Sequence, residues 1–101
     1  MQPWIGLAHV KPTDSNELLE GALGAFVAVV ALSMTQEDFV SQVTSALQAS
    51  EFIVLEIEDI EPWLSRSRRY PVDEHIQSLV RGLAPDNPIE FSTFQAYESD
   101  T

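Results

Sequence analysis

The ten-residue segment Gly24–Ser33 constrains the fold of this chain more than any other part of it. It reads Gly-Ala-Phe-Val-Ala-Val-Val-Ala-Leu-Ser, without charge or proline and with a high share of β-branched residues. This composition and length are typical of a strand buried on both faces. A helix is the alternative, because a short apolar run has no periodicity that separates the two. Gly24 at its start and Ser33 at its end favour the strand, in which Val29 and Val30 would point to opposite buried faces.

Length and composition predict one domain over residues 1–101. Apolar residues make up 45% of the chain and charged residues 21%, as in ordinary globular proteins. Because there is no cysteine, disulfides, thiol catalysis and cysteine-bound zinc are excluded, and a reducing cytoplasm is the expected location. The first residues lack the basic start of a signal peptide, and the apolar run is too short to span a bilayer.

The charge balance indicates what kind of partner the chain prefers. Sixteen acidic residues against five basic ones give a net charge of −11. This charge repels nucleic acids and anionic membranes, so we expect neither as a partner. A basic protein is the natural counterpart, and the alternative is that the charge only keeps the chain soluble.

Two helices are predicted from capping residues and apolar spacing. The sequence Thr-Gln-Glu-Asp at residues 35–38 is typical of a helix start, and the apolar residues that follow recur every three or four positions. They predict a helix over residues 36–49. Asp73 is the predicted cap of a second long helix, which Gly82 and Pro85 end.

Three further strands complete the predicted sheet. Residues 4–10, bounded by Pro3 and Pro12, indicate an edge strand. Residues 51–61 and 89–97 are also predicted strands. If side chains alternate strictly along residues 51–61, one face of this strand carries Ile53, Leu55 and Ile57. The other face carries Val54, Glu56, Glu58 and Ile60.

The predicted order is strand, short turn, strand, helix, strand, helix, strand. It corresponds to an α+β two-layer sandwich, in which two long helices cover one face of a four-stranded mixed or antiparallel sheet. The architecture is broadly ferredoxin-like by analogy, although the extra N-terminal strand departs from the βαββαβ path. The second sheet face needs Leu18, Leu19 and Leu23, or another copy of the chain, as cover. A homodimer is therefore an expectation.

The sequence contains no motif for a catalytic or cofactor site. It has neither a glycine-flanked serine elbow nor a phosphate-binding glycine loop, so no catalytic residue and no cofactor are predicted. His9 and His75 have no second histidine or cysteine at metal spacing, and structural or solvated roles are favoured for both. Glu56 and Glu58 are close enough to share Mg²⁺, but a solvated edge is the favoured interpretation and no metal is predicted.

The candidate partner-binding residues are four acids and the tryptophan that follows them: Glu56, Glu58, Asp59, Glu61 and Trp63. Carboxylates in a row accept hydrogen bonds from arginine and lysine, and Trp63 would serve as an aromatic anchor or else close the end of the core. Residues 63–71 hold three of the five basic residues and predict a loop with a charged tip.

Two functions are weighed on this basis. The first is a small acidic binding protein, such as an inhibitor or immunity-type protein that covers the basic surface of a toxin or other enzyme. The second is a dimeric ligand-binding or substrate-processing domain with a pocket on the open sheet face. A largely filled sheet face with an exposed acidic surface favours the first. A concave pocket with convergent polar groups, such as His9, Tyr97 or Arg81, favours the second.

Overall fold

The computed structural model describes residues 1–16, 21–71 and 73–98 as an α+β fold with an antiparallel sheet. Within these residues the chain forms five strands, which are β1 (Gln2–Pro12), β2 (Gly24–Ser33), β3 (Phe52–Pro62), β4 (Ile89–Phe91) and β5 (Gln95–Tyr97). It also forms three helices, which are α1 (Gln36–Ala49), α2 (Trp63–Arg69) and α3 (Glu74–Arg81). The sheet order is β3-β1-β2-β4, and β5 pairs with the other end of β2. No helix of the described residues has the length and apolar character needed to cross a membrane.

The predicted strand Gly24–Ser33 is confirmed as β2, with neighbours on both edges. Val29 and Val30 are both 0% exposed and belong to two separate apolar clusters. Since successive side chains of a strand point to opposite faces, these clusters lie on the two sides of the sheet. We call them the α1 face, which carries Val29, and the α3 face, which carries Val30.

The predicted helix over residues 36–49 is confirmed as α1 and covers the α1 face. Thr35 accepts a hydrogen bond from the backbone N–H of Asp38 at 3.0 Å, which satisfies one of the free donors of the first turn. Its apolar stripe, Phe39, Val43 and Leu47, is buried against the sheet. Burial of three large side chains on one stripe is what holds this amphipathic helix on the sheet.

The second helical layer corrects the expectation of two long helices on one face. Asp73 caps α3 as predicted, by accepting hydrogen bonds from His75 and Ile76, but α3 is only eight residues long. Its buried Ile76 packs with Trp63 of α2 against Val30. Because β2 is apolar on both faces, each face needs its own cover, and the helices divide between them. Two strands also precede α1, unlike the βαββαβ order of ferredoxin-like folds.

The prediction of an edge strand at residues 4–10 is wrong, because β1 pairs with both β2 and β3. Pro3 and Pro12 lie near the two ends of β1, where the missing N–H groups cost the ladder little. At the described edge opposite β4 and β5, the sheet ends with β3.

Strict alternation along β3 is also wrong, because the pairing with β1 shifts register twice. Each shift inserts an extra residue into β3, and Asp59 at the second shift has a φ of 56°. The side chains that pack on the α1 core are therefore not evenly spaced: Phe52, Val54, Ile57 and Ile60. Glu56 and Glu58 lie opposite His9 and Leu7 on the α3 face, away from Val54 and Ile60.

The last predicted strand is divided into β4 and β5, which both extend along β2. Between them Phe94 packs on the α1 core, where its ring stacks on Phe52 with centroids 5.0 Å apart. The chain after β1 turns at residues 14–15, and Asn16 donates hydrogen bonds to the carbonyls of Ser50 and Glu51. Leu18 and Leu19, expected to cover the sheet, lie outside the described residues, and Leu23 is exposed.

Candidate functional site

Within the described part of the chain, helices cover the α3 face at one end only. There α2 and α3 bury Ile5 and Val30. Toward the other end of the same face, Phe26 is 37% exposed and no described helix packs on it. We define the open half-face by the side chains at this end: Leu7, His9, Phe26, Glu56, Glu58 and Tyr97.

Three aromatic rings form an ordered group on the open half-face. His9 and Phe26 are cross-strand neighbours, and their rings stack with centroids 4.3 Å apart and an angle of 13° between the planes. A hydrogen bond of 2.7 Å joins Nε2 of His9 to the hydroxyl of Tyr97. The Tyr97 ring is tilted against both others, with centroids 5.8 and 6.0 Å away. Stacking and hydrogen bonding together fix the orientation of an exposed aromatic surface.

Gly24 makes room for this group. A Cβ atom at Gly24 would lie 2.6 Å from Cζ of Tyr97 and 2.9 Å from the carbonyl oxygen of Val10. Both distances are below van der Waals contact, so a side chain here would displace Tyr97. The glycine that opens the apolar run in the sequence therefore has a packing role on this face.

Glu56 and Glu58 bring carboxylates to the edge of the open half-face. Both side chains are exposed, and neither forms an ion pair within the residues that the structure describes. Cross-strand neighbours have Cβ atoms about 4.5–5.5 Å apart, so Glu56 lies beside His9 and Glu58 beside Leu7. Asp59 is exposed at the register shift, where its carbonyl accepts a hydrogen bond of 2.7 Å from Arg66.

Glu61 and Trp63 are engaged within the protein. The carboxylate of Glu61 accepts hydrogen bonds from Nε of Arg66 at 2.5 Å and Nη2 of Arg69 at 2.6 Å. The hydrogen bond from Arg66 lowers the pKa of Glu61, with the charges of both arginines adding to the effect. Trp63 is 7% exposed and packs with Ile5, so it is not a protruding anchor for a protein partner. The five predicted residues are thus not one continuous surface.

A concave region lies on the α3 face, between α2 and the start of α3. It is a cleft of about 630 Å³ with Ile5, Ala28 and Trp63 among its lining residues. The structure corrects the predicted loop at residues 63–71, because residues 63–69 form α2. Arg66 and Arg69 are three positions apart, so both lie on one side of α2.

His75 has a more specific place than the solvated surface position expected from its neighbours. It is exposed, but its Nε2 lies 3.1 Å from Oγ of Ser92 across the cleft lining. Serine and histidine within hydrogen-bond reach resemble part of a nucleophile–base pair. No described side chain hydrogen-bonds to the second ring nitrogen of His75, so the arrangement lacks the third, orienting group of a catalytic triad.

A search of the described residues for metal ligands and comparisons with other proteins give no indication of function. In residues 1–16, 21–71 and 73–98, no three histidine, aspartate or glutamate side chains are grouped to hold a metal ion. Comparison of the chain with protein-family models, with characterised proteins and with solved structures finds no match.

Proposed function

We propose that this protein is a small binding module that recognises a basic surface on a partner protein through its open half-face. The observation that carries the proposal is the exposed Phe26 ring stacked on His9, with the carboxylates of Glu56 and Glu58, which form no ion pair among the described residues, on the other side of β1. Aromatic faces attract cations, and carboxylates accept charge-assisted hydrogen bonds from arginine and lysine. The combination suits a lysine or arginine side chain.

The aromatic group is also pre-organised for binding. The ordering of interface side chains costs about 0.5–1.5 kcal/mol for each flexible chain that binding immobilises. His9, Phe26 and Tyr97 are already fixed by stacking and by one hydrogen bond, which reduces this cost. Phe26 takes the anchoring role that the sequence suggested for Trp63.

The net charge of −11 supports the choice of partner. A negative net charge accelerates association with a basic partner and disfavours the binding of acidic partners. Both effects weaken with added salt. A specific form of the proposal is an inhibitor or immunity-type protein that covers the basic active site of a toxin or enzyme. The open half-face would then be the surface that occludes that site.

The proposal is tested by affinity capture with paired variants. Wild-type protein and the double variant Glu56→Lys, Glu58→Lys are immobilised, and proteins retained from the native host are compared. The control, Glu37→Lys with Asp86→Lys, changes the net charge by the same amount at exposed positions away from the open half-face. Wild type and control should retain the same basic protein, and the Glu56, Glu58 variant should lose it.

The retained protein is then titrated against each variant at increasing salt. Phe26→Ala should raise the dissociation rate about 30-fold, as expected for an aromatic hot spot of about 2 kcal/mol. Glu56→Lys with Glu58→Lys should mainly slow association. Equal loss of binding in the control variant would contradict the proposal, because it would indicate net charge alone. Binding insensitive to salt and to all of these changes would contradict it as well.

A further inference from the structure

The cleft on the α3 face has the volume of a small-molecule site and is separate from the proposed protein-binding surface. Its volume of about 630 Å³ lies within the range of about 300–1,000 Å³ that is usual for ligand pockets. Ile5, Trp63 and Ile76 form an apolar part of the lining and belong to one buried cluster. A ligand can therefore place an apolar body against these side chains.

Two guanidinium groups give the cleft its polar side. Arg66 uses one Nε–H to reach Glu61 and one Nη2–H to reach the carbonyl of Asp59. Arg69 uses Nη2 to reach Glu61, and its guanidinium lies 5.3 Å from the centre of the Tyr70 ring. Each guanidinium has five N–H groups, so both keep donors that are not used by described protein acceptors. Ion pairs with Glu61 hold both groups in place.

Further polar groups line the cleft from α3 and from the segment between β4 and β5. Ser92 and His75 are joined by their hydrogen bond of 3.1 Å, and both belong to the lining. Their remaining donors and acceptors can fix the orientation of a second polar group on a ligand.

The charges of the lining disfavour a ligand that carries several negative charges. Asp59, Glu61 and Asp73 line the cleft together with Arg66 and Arg69, and the whole chain carries a net charge of −11. A di- or triphosphate would meet this repulsion with several charges, whereas a single carboxylate can pair with one guanidinium fork.

We propose that the cleft binds a small organic acid that carries one carboxylate on an apolar body. The carboxylate pairs with the remaining N–H groups of Arg69 and Arg66. The apolar body lies against Ile5, Trp63 and Ile76.

Three probes of matched shape test the proposal: phenylacetate, its neutral amide phenylacetamide, and the cation phenethylamine. Binding is followed by NMR through the side-chain methyl signals of Ile5 and Ile76, which both line the cleft. Phenylacetate should shift both signals in a saturable way. Phenylacetamide should bind about tenfold more weakly or not at all, and phenethylamine should not bind.

Two arginine variants provide the matched comparison. Arg69→Gln removes a guanidinium that lines the cleft, and Arg68→Gln removes the same charge from a neighbouring residue outside the lining. Arg69→Gln should weaken phenylacetate binding about tenfold, and Arg68→Gln should leave it within about twofold of wild type.

Several results would overturn the proposal. They are equal binding of phenylacetate and phenylacetamide, equal weakening by both arginine variants, and the absence of saturable shifts up to the solubility limit. Because Glu56, Glu58 and Phe26 do not line the cleft, their variants should leave phenylacetate binding unchanged. Failure of this site and failure of the protein-binding surface are therefore separable.

Discussion

Replacement of Gly24 by alanine tests the packing that fixes the aromatic group of the open half-face. The new Cβ atom would meet Cζ of Tyr97 at 2.6 Å and the carbonyl oxygen of Val10 at 2.9 Å. The Tyr97 ring has to move, and its 2.7 Å hydrogen bond to His9 is then lost. Overpacking typically costs about 1–3 kcal/mol, and a lost hydrogen bond about 0.5–1.5 kcal/mol. We expect Gly24→Ala to lower the free energy of unfolding by about 2–4 kcal/mol.

The sign of the change in the free energy of unfolding is informative, because Gly24→Ala should stabilise the protein if Tyr97 does not lie over Gly24. Alanine in place of glycine at an unhindered strand position stabilises a protein by about 0.5–1 kcal/mol. Urea denaturation followed by tryptophan fluorescence measures the difference. A double-mutant cycle with Tyr97→Ala isolates the contribution of the ring, since the contact with the carbonyl oxygen of Val10 persists in that background.

The expected coupling between the two substitutions is at least about 1 kcal/mol, with Gly24→Ala less destabilising when Tyr97 is absent. Tyr97→Phe alone should cost about 1 kcal/mol, because it removes the hydroxyl and leaves the ring. A neutral or stabilising Gly24→Ala substitution, or additive effects in the cycle, would refute the placement of Tyr97 over Gly24. The geometry of the open half-face would then also be wrong.

Four further predictions concern stability and assembly. Val29→Asp and Val30→Asp should each cost several kcal/mol and abolish soluble expression, since both side chains are fully buried; soluble yield is the measurement. Trp63→Ala should lower the free energy of unfolding by about 3–5 kcal/mol in urea denaturation, and a surface effect below about 1 kcal/mol would contradict its core position. Because Arg66 lowers the pKa of Glu61, this carboxylate stabilises the fold above its ordinary pKa of 4.5 and loses that effect as pH falls toward the folded value. The free energy of unfolding, measured from about pH 6 to about pH 3, should decline less in Glu61→Gln than in the wild type. Sedimentation velocity tests the predicted homodimer, which a monomer alone at high concentration would contradict.

The elements with local sequence signals were predictable, and those determined by tertiary contacts were not. Gly24–Ser33 and the helix at residues 36–49 match the structure because composition and capping specify them locally. In contrast, α2 begins at Trp63 after Pro62 without a side-chain cap, and ion pairs of its arginines with Glu61 of β3 connect it to the sheet. A run of three arginines in four positions carries no signal for that partner.

The main error at the candidate site was the predicted assignment of the β3 side chains to the two sheet faces. Two register shifts move Ile57 onto the α1 core together with Val54 and Ile60, and Asp59 adopts a left-handed conformation at the second shift. A single sequence with alternating polarity gives no sign of an inserted residue. The acids at 56 and 58 could be recognised as neighbours on one face, but the aromatic rings beside them come from β1, β2 and β5. Only the sheet order brings those strands together.

Hydrogen–deuterium exchange on the complex with the retained basic protein identifies the binding surface. If the open half-face is that surface, amides at residues 7–9, 24–28 and 56–58 should exchange more slowly in the complex than in the free chain. The backbone of α1, on the opposite face of the sheet, should exchange at the same rate in both states. Protection confined to α1, or to α2 and the start of α3, with no change at residues 7–9 and 56–58, would contradict binding through the open half-face.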